Sequence, residues 1–365
     1  MLLVAGAKLP PMTAQTWDGL GGWGEVLGTL TRGSDLDREA ARASMGEILE
    51  GNATSAQIAG FIVALRMKGE TVEELTGLVG AMLDRATPVT LADPEGVIDI
   101  VGTGGDRSQS INVSTLAALA IVGAGGRVCK HGNRAASSKC GTADLLEALG
   151  VAFDLGPEGV ARCVERAGMG FCFAPRYHGA MRHAGPVRRE LGVPTVFNVL
   201  GPLANPARVR RQVTGVADGA MAGRMIKVLA ANGSERALVV HGHDGLDELS
   251  TTSSSTVHEL RDGEVRTYEI DPSTYGIAPA SLDDLRGGDA SRNADLARAV
   301  LAGTPGPHAD IVALNAGAGL LAAGLVEDLG SGIDAARASL TDGSAERALT
   351  DLVRVSQEAK AAEPA

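Results

Sequence analysis

The sequence predicts a small all-α domain joined to a larger α/β domain built on a mostly parallel sheet. Before Pro88, three capped helical runs follow one another with no strand between them. From about Gly96 onward, β-branched apolar runs alternate with helical ones, the pattern of a parallel sheet covered on both faces. Between about Arg176 and Leu203 a helix-like stretch interrupts that alternation. The 365 residues thus divide into a loose extension at 1–20, a helical domain at 21–90, and an α/β domain at 91–175 and 206–365.

The helical runs span 37–49, which stops at Gly51, 55–67, which stops at Gly69, and 72–85, ahead of Pro88. Thr54 with Gln57 and Thr71 with Glu74 have the spacing of a capping box, in which hydroxyl and N3 side chain satisfy each other's backbone N–H groups. Glycine just past a helix end suits the left-handed C-terminal cap. Ile58, Phe61, Ile62 and Leu65 recur at helical spacing and mark core or subunit contact. Strands are expected at 97–101, 127–130, 213–216 and 237–240, and a hairpin at 257–260 and 265–270 across the turn 261–264. The hydroxyl-rich run 251–256 reads as the exposed start of a strand, and 308–324 as a closely packed small-residue helix.

Two loops in this frame carry chemistry. The first follows the strand 97–101 as Gly102-Thr103-Gly104-Gly105-Asp106 and runs through Asn112, Ser114 and Thr115 into a helix at 115–122. Glycine permits positive φ and close backbone approach, and a helix N-terminus lined with hydroxyls and amides favours an anion such as pyrophosphate. The spacing is neither GxGxxG nor GxxxxGK[ST], so neither a dinucleotide fingerprint nor a Walker loop is present. The second loop follows the strand 127–130 and crowds Lys130, His131, Asn133, Arg134, Ser137, Ser138 and Lys139 into one turn. It ends at Thr142, an expected N-cap, with Asp144 complementing the helix dipole and Gly150 ending the helix.

A net charge of −11 argues against a protein coated in nucleic acid and makes the basic second loop a local exception. Cys129, Cys140, Cys163 and Cys172 form no CxxC and have no histidine at zinc spacing, which fits reduced thiols in a cytosolic protein. The apolar start 1–7 is too short for a signal core and lacks a basic leader, and no apolar run approaches the ~20 residues that span a bilayer. A cytoplasmic location, with neither membrane nor nucleic acid as partner, is therefore expected.

The order and spacing of GTGGD, then NVST, then KHGNRAASSKCGTADLLEALG (130–150) resemble the anthranilate phosphoribosyltransferase family. The resemblance continues through 178–192, FNVLGPLANPA at 197–207 and GLDELS at 245–250, and covers roughly Asp35 to the C-terminal helix. Cys140 departs from it, standing where a small hydroxyl residue is usual. The resemblance implies that segment 176–205 returns to the helical domain and that the substrate cleft lies between the two domains. It implies a homodimer through the helical domain. It further implies magnesium-dependent transfer of phosphoribose from phosphoribosyl pyrophosphate to the amine of anthranilate, with two Mg²⁺ per subunit.

By the same resemblance, phosphoribosyl pyrophosphate is met by Gly102, Thr103, Gly105, Asp106, Ser110, Asn112, Val113, Ser114, Thr115, Lys130, Asn133, Ser138 and Thr142. Anthranilate is met by Gly102, His131, Asn133, His178 and Arg188, of which Asn133, Arg188 and His131 are implied to act in catalysis. A guanidinium fork suits a carboxylate bidentately, which fits Arg188 to that group. Ser114, Asp247 and Glu248 are the implied metal ligands; on spacing alone an Asp-Glu pair is uninformative, and Asp244 is a nearby decoy. His241 and His243 lack a third ligand for zinc. Pyrimidine nucleoside phosphorylases share such an architecture, but their Lys-His-Ser-Thr-Gly-Gly type of loop has no counterpart before GTGGD. A non-catalytic nucleic-acid-binding relative would need a basic face, which the acidic balance opposes.

Overall fold

A computed structural model describes residues 17–135 and 138–363. Ser137 and positions 1–16 of the expected extension lie outside the described residues. The rest of that extension is structured: Trp17–Leu20 forms a 3-10 turn, and Trp17 packs edge-on against Trp23 at 5.1 Å. Four helices follow, α1 (Gly22–Thr31), α2 (Arg38–Glu50), α3 (Ser55–Lys68) and α4 (Val72–Arg85). Both expected capping boxes are present, on α3 and α4. Helix α1 went unread because its glycine-rich sequence offers no side-chain cap.

The α/β part runs β1 (Val97–Gly102), α5 (Val113–Gly123), β2 (Arg127–Gly132), α6 (Thr142–Ala148), α7 (Pro157–Ala167) and β3 (Met169–Phe173). It then crosses over as α8 (Ala174–Tyr177), α9 (Gly185–Leu191) and α10 (Phe197–Leu200). It continues with β4 (Arg211–Gly215), α11 (Gly219–Ala231), β5 (Arg236–Gly242), β6 (Ser255–Arg261) and β7 (Glu264–Ile270). Four long helices close it: α12 (Ala290–Leu301), α13 (Pro307–Ala323), α14 (Leu329–Thr341) and α15 (Ser344–Ala362). The expected helix-like crossover is thus broken into short pieces, because Gly179, Gly185, Gly192, Pro186, Pro194 and Pro202 punctuate it.

The seven strands lie in the order β3-β2-β1-β4-β5-β6-β7, with β1 to β5 parallel and the hairpin β6–β7 antiparallel. β3 (Met169–Phe173) is a further strand, outside those expected from the sequence. Its five residues follow the left-handed Gly168 at the end of α7 directly, with no turn signal between. Leu238 and Val240 of β5 face one core, shared with α5 and α13; Ala237 and Val239 face the other, shared with α11 and the helical domain. Burial on both faces explains why the strands read as continuous apolar runs. The hydroxyl run is a correction: Thr251 and Ser255 are buried, because Asp244 gathers Ser250 and Thr252 under the loop.

Asp99, the polar member of β1, is fully buried and ties the crossover to the sheet. It accepts the His131 N–H at 3.1 Å and the Asn205 amide at 2.8 Å, and Asn205 also donates to the Cys129 carbonyl at 2.8 Å. Burial raises the Asp99 carboxyl to about 6 against the pull of Lys130.

Candidate active site

Strand order reverses between β1 and β4, and in open α/β sheets ligands bind outside the carboxyl ends of strands at such a switch point. Both strands end there in glycine, and Gly102 and Gly215 are register partners. The loop after β5 uses the space. A Cβ on Gly102 would strike the Asp247 carboxylate, and one on Gly215 would strike the Asp247 backbone. The two glycines therefore place the Asp247–Glu248 pair over the ends of β1 and β4. Asp247 is locked by the Gly104 N–H at 2.7 Å, and the Thr103 N–H donates to the Gly215 carbonyl at 2.9 Å.

Beyond Thr103 the first loop coils tightly. Gly104, Gly105, Arg107 and Gln109 all have φ between 55° and 83°, so two non-glycine residues hold the left-handed region. Such winding turns successive N–H groups toward one concavity, a geometry that suits an anion. Asp106 faces Asp247 from within this loop. Burial and the neighbouring Asp106 push the Asp247 carboxyl up to about 7. Burial and Asp247 likewise push Glu248 well above the usual carboxylate range, while Lys130 and the Ser114 N–H oppose the shift.

Oxygen-only donors that repel one another suit a hard divalent cation. Among the described residues, no three His, Cys, Asp or Glu are arranged to hold a metal ion unaided. A cation here would need further oxygens from a hydroxyl such as Ser114, from water or from a ligand. Asp244 is occupied by the Ser250 and Thr252 hydroxyls, and His241 and His243 by the Val216 carbonyl and the Thr256 hydroxyl, both at 2.8 Å.

Lys130 sits beneath this cluster rather than on the loop surface. It is 1% exposed; its Nζ donates to the Ile100 carbonyl and, at 3.1 Å, to the Ser114 hydroxyl. Burial lowers its pKa, opposed by Asp99, Glu248 and Asp247. Val113 and Thr115 are also buried in α5, with the Thr115 hydroxyl 3.4 Å from that of Thr142. Asn112 stands at the N-cap of α5 but does not cap it; its amide donates to the Cys140 carbonyl at 3.1 Å, spanning the two loops. Ser110 is held beside them by a bridge to Arg286.

In the second loop, Asn133 is exposed and its Oδ1 accepts the Arg134 N–H at 2.7 Å. Arg134 is spent on structure, paired with Asp144 at 2.6 Å and Glu147 at 2.9 Å. Ser138 is exposed beside the Cys140 carbonyl at 3.4 Å. The Cys140 thiol is buried, which raises it to about 11 and leaves it unreactive. Thr142 begins α6, but Gly141 holds the cap position; its N–H and that of Ala135 donate to Asp144 at 2.9 and 3.0 Å.

The crossover closes the other side. His131, at the end of β2, meets the Gly201 carbonyl through Nδ1 at 3.0 Å, and His178 meets the Ala204 carbonyl through Nε2 at 2.9 Å. Carbonyls only accept, so Nδ1 of His131 and Nε2 of His178 carry the protons. The two rings lie 5.1 Å apart. Burial drives His131 down to about 3 and lowers His178, so both are neutral at pH 7. Among the described residues, the buried Nε2 of His131 has no hydrogen-bond partner. Arg188, half-buried on α9, lies with its guanidinium carbon 5.1 Å from the Phe197 ring centre. Among the described residues it has no carboxylate partner, and desolvation lowers its pKa. A half-buried cation without a counter-ion is matched to an anionic ligand group.

Residues 94–346 match the family described as "Glycosyl transferase family, a/b domain", and residues 24–86 match its helical bundle domain. The anthranilate phosphoribosyltransferase of Rhodococcus jostii (strain RHA1) is 55% identical over 329 residues, 88% of this chain and 90% of its own. The chain belongs to the anthranilate phosphoribosyltransferase family. The crystal structure of the Thermus thermophilus member is 43% identical with a TM-score of 0.86, covering 91% of this chain and 99% of that one. The Saccharomyces cerevisiae member, solved in complex with PRPP and Mg, is 29% identical with a TM-score of 0.79, covering 88% and 92%. The helical domain and the larger α/β domain with its mostly parallel sheet match those of these relatives.

Proposed function

We propose that this chain transfers the 5-phosphoribosyl group from phosphoribosyl pyrophosphate to the amine of anthranilate, releasing pyrophosphate. Family membership supports the reaction class. The observation that carries the reading is the seat of Asp247 and Glu248 over Gly102 and Ser114, at the switch point and beside a coiled glycine loop. Asp247, Glu248 and Ser114 would hold Mg²⁺, whose charge stabilises the departing pyrophosphate. Two ions per subunit fit this donor set only if the substrate supplies oxygens, as it does by carrying a diphosphate.

The chain's own groups then divide the work. The N–H groups of Gly105, Asp106 and Arg107 in the coil and the Asn112, Ser138 and Thr142 side chains cradle the phosphates. Arg188 holds the anthranilate carboxylate, and neutral His131 offers its free Nε2 lone pair to an amine N–H. Asn133, exposed at the mouth of the second loop, orients the amine. The C1–O bond to pyrophosphate breaks with its electron pair leaving on oxygen; the amine lone pair forms C1–N, and one amine proton passes to the released pyrophosphate or to water. Positioning and electrostatics carry the catalysis, because an aryl amine is already neutral at pH 7.

The assembly in this proposal is a cytoplasmic homodimer through the helical domain. On α3, Met67 is 82% and Val63 39% exposed, an apolar patch a partner would cover. Among the described residues, no helix is long and apolar enough to cross a membrane. Purified protein with Mg²⁺, phosphoribosyl pyrophosphate and anthranilate is expected to consume anthranilate fluorescence. No loss at high protein concentration, with the Thermus relative active alongside, overturns the reading.

A further inference from the structure

We propose that Asn293 is a positioning residue that locks the two phosphate loops into one unit. The inference rests on the reading of those loops as the phosphoribosyl pyrophosphate site. Asn293 lies on α12, distant in sequence from either loop, and is 3% exposed. Its Oδ1 accepts the Gly288 N–H at 2.6 Å, and its Nδ2 donates to Oδ1 of Asn112 at 2.9 Å. Asn112 in turn donates to the Cys140 carbonyl at 3.1 Å. The relay runs from the 287–288 turn, through the first loop, to the second.

Its direction is set at both ends. A backbone N–H only donates and a carbonyl only accepts, so neither amide can flip without placing like atoms together. The relay also explains why Asn112 leaves α5 without a side-chain cap: its oxygen is already taken by Asn293. The fit is close. A Cβ on Gly287 would come within 2.6 Å of the Asn293 oxygen, and the gap left among Ser110, Ser138, Cys140 and Asn293 is about 10 Å³, no more than one water. The 287–288 turn is itself stitched to the first loop: the Gly287 N–H donates to the Gln109 carbonyl at 2.9 Å, and the Ile111 N–H to that of Leu285 at 3.0 Å.

Two variants test this against the wild-type protein by calorimetric binding of phosphoribosyl pyrophosphate with Mg²⁺, by kinetics, and by hydrogen exchange over 104–112 and 138–142. Asn293→Ala removes the relay without adding charge. It is expected to weaken phosphoribosyl pyrophosphate binding about 10-fold to 100-fold and to speed exchange in both loops, because the oxygen of the half-buried Asn112 loses its donor and the link from α12 to the loops is cut. The KM for anthranilate at saturating donor is expected to stay within about twofold. Asn293→Asp keeps the Gly288 bond but presents oxygen to Asn112, forcing its amide to turn and release Cys140; exchange is expected to rise most in the second loop. Unchanged binding and exchange in Asn293→Ala overturn the inference, as does weakening confined to Asn293→Asp, which would be charge alone. Equal losses in both KM values and kcat also overturn it, since they mark general destabilisation. If either variant fails to fold, Asn293→Ser, which retains a small donor, is read by the same criteria. Wild-type protein that does not bind phosphoribosyl pyrophosphate defeats the underlying reading instead.

Discussion

Above β1 and β4, carboxylates crowd one another; across β2, a guanidinium stands without one. On the first side Asp106 raises the proton affinity of Asp247, and both raise that of Glu248, while the Lys130 ammonium beneath them is buried and already engaged. On the second side both histidines are neutral, and among the described residues Arg188 meets an aromatic face and no carboxylate. Neither half is electrostatically complete. The first lacks positive charge and the second lacks negative charge, so the pair is complementary to a metal-bound diphosphate at one end and a carboxylate at the other. In the proposed reaction, the sign of the missing charge is what assigns the diphosphate to one half and the acceptor carboxylate to the other.

The largest expected effect breaks the acidic side. Asp247→Asn with Glu248→Gln keeps the shape and the Gly104 bond but removes the charge. Activity is expected to fall on the order of 10²-fold to 10³-fold, with a higher Mg²⁺ requirement, judged by the cost of losing one preorganised charge-stabilising group. Activity titrated against Mg²⁺ checks this, and an unchanged metal dependence would remove the pair from the site.

A smaller effect breaks the other side. Arg188→Ala is expected to raise the anthranilate KM about 30-fold or more, the usual cost of truncating one partner of a desolvated ion pair. The KM for phosphoribosyl pyrophosphate should stay within about twofold. Equal changes in both would show that Arg188 shapes the crossover rather than holding the acceptor.

The smallest effect sharpens the contrast by pH. His131 is neutral when folded, its pKa lowered from 6.5 to about 3, so below pH 6.5 the unfolded chain binds a proton that the native one refuses. Stability is therefore lost as pH falls from 6.5 toward 3, and at pH 5 the loss is about 2 kcal/mol. His131→Asn, which retains a donor toward Gly201, removes this increment. Between pH 7.5 and 5 the wild-type Tm should drop a few degrees more than that of the variant, as thermal melts would show. Parallel drops would mean that His131 titrates normally.

Much of the fold was legible because local rules act over a few residues. Thr54 with Gln57 and Thr71 with Glu74 name their helix starts, and the strands named in the sequence all pair, most within two residues of the expected ends. What escaped has specific physical reasons. β3 has neither alternation nor a flanking turn, and α1 lacks a cap. Lys130 reads as a surface donor, since lysine is almost never fully buried unless paired; only the fold supplies Asp99, the Ile100 carbonyl and Ser114 around it. Asn205 and Asn293 carry no local signal, because the partners that define their roles, Asp99 and Asn112, lie 106 and 181 residues away.

By itself the sequence determined the periodicities, the helix caps, the two glycine- and hydroxyl-rich loops and the chemical types within them. All of these depend on neighbours within a turn or two of chain. The tertiary structure alone decided which charges remain unmatched. It set Asp247 over two strand-end glycines, sank Lys130 beneath Ser114, held both histidines neutral and left Arg188 with no counter-ion among the described residues. Charge state and pairing depend on burial and on partners brought in from distant segments, and no spacing rule along the chain encodes either.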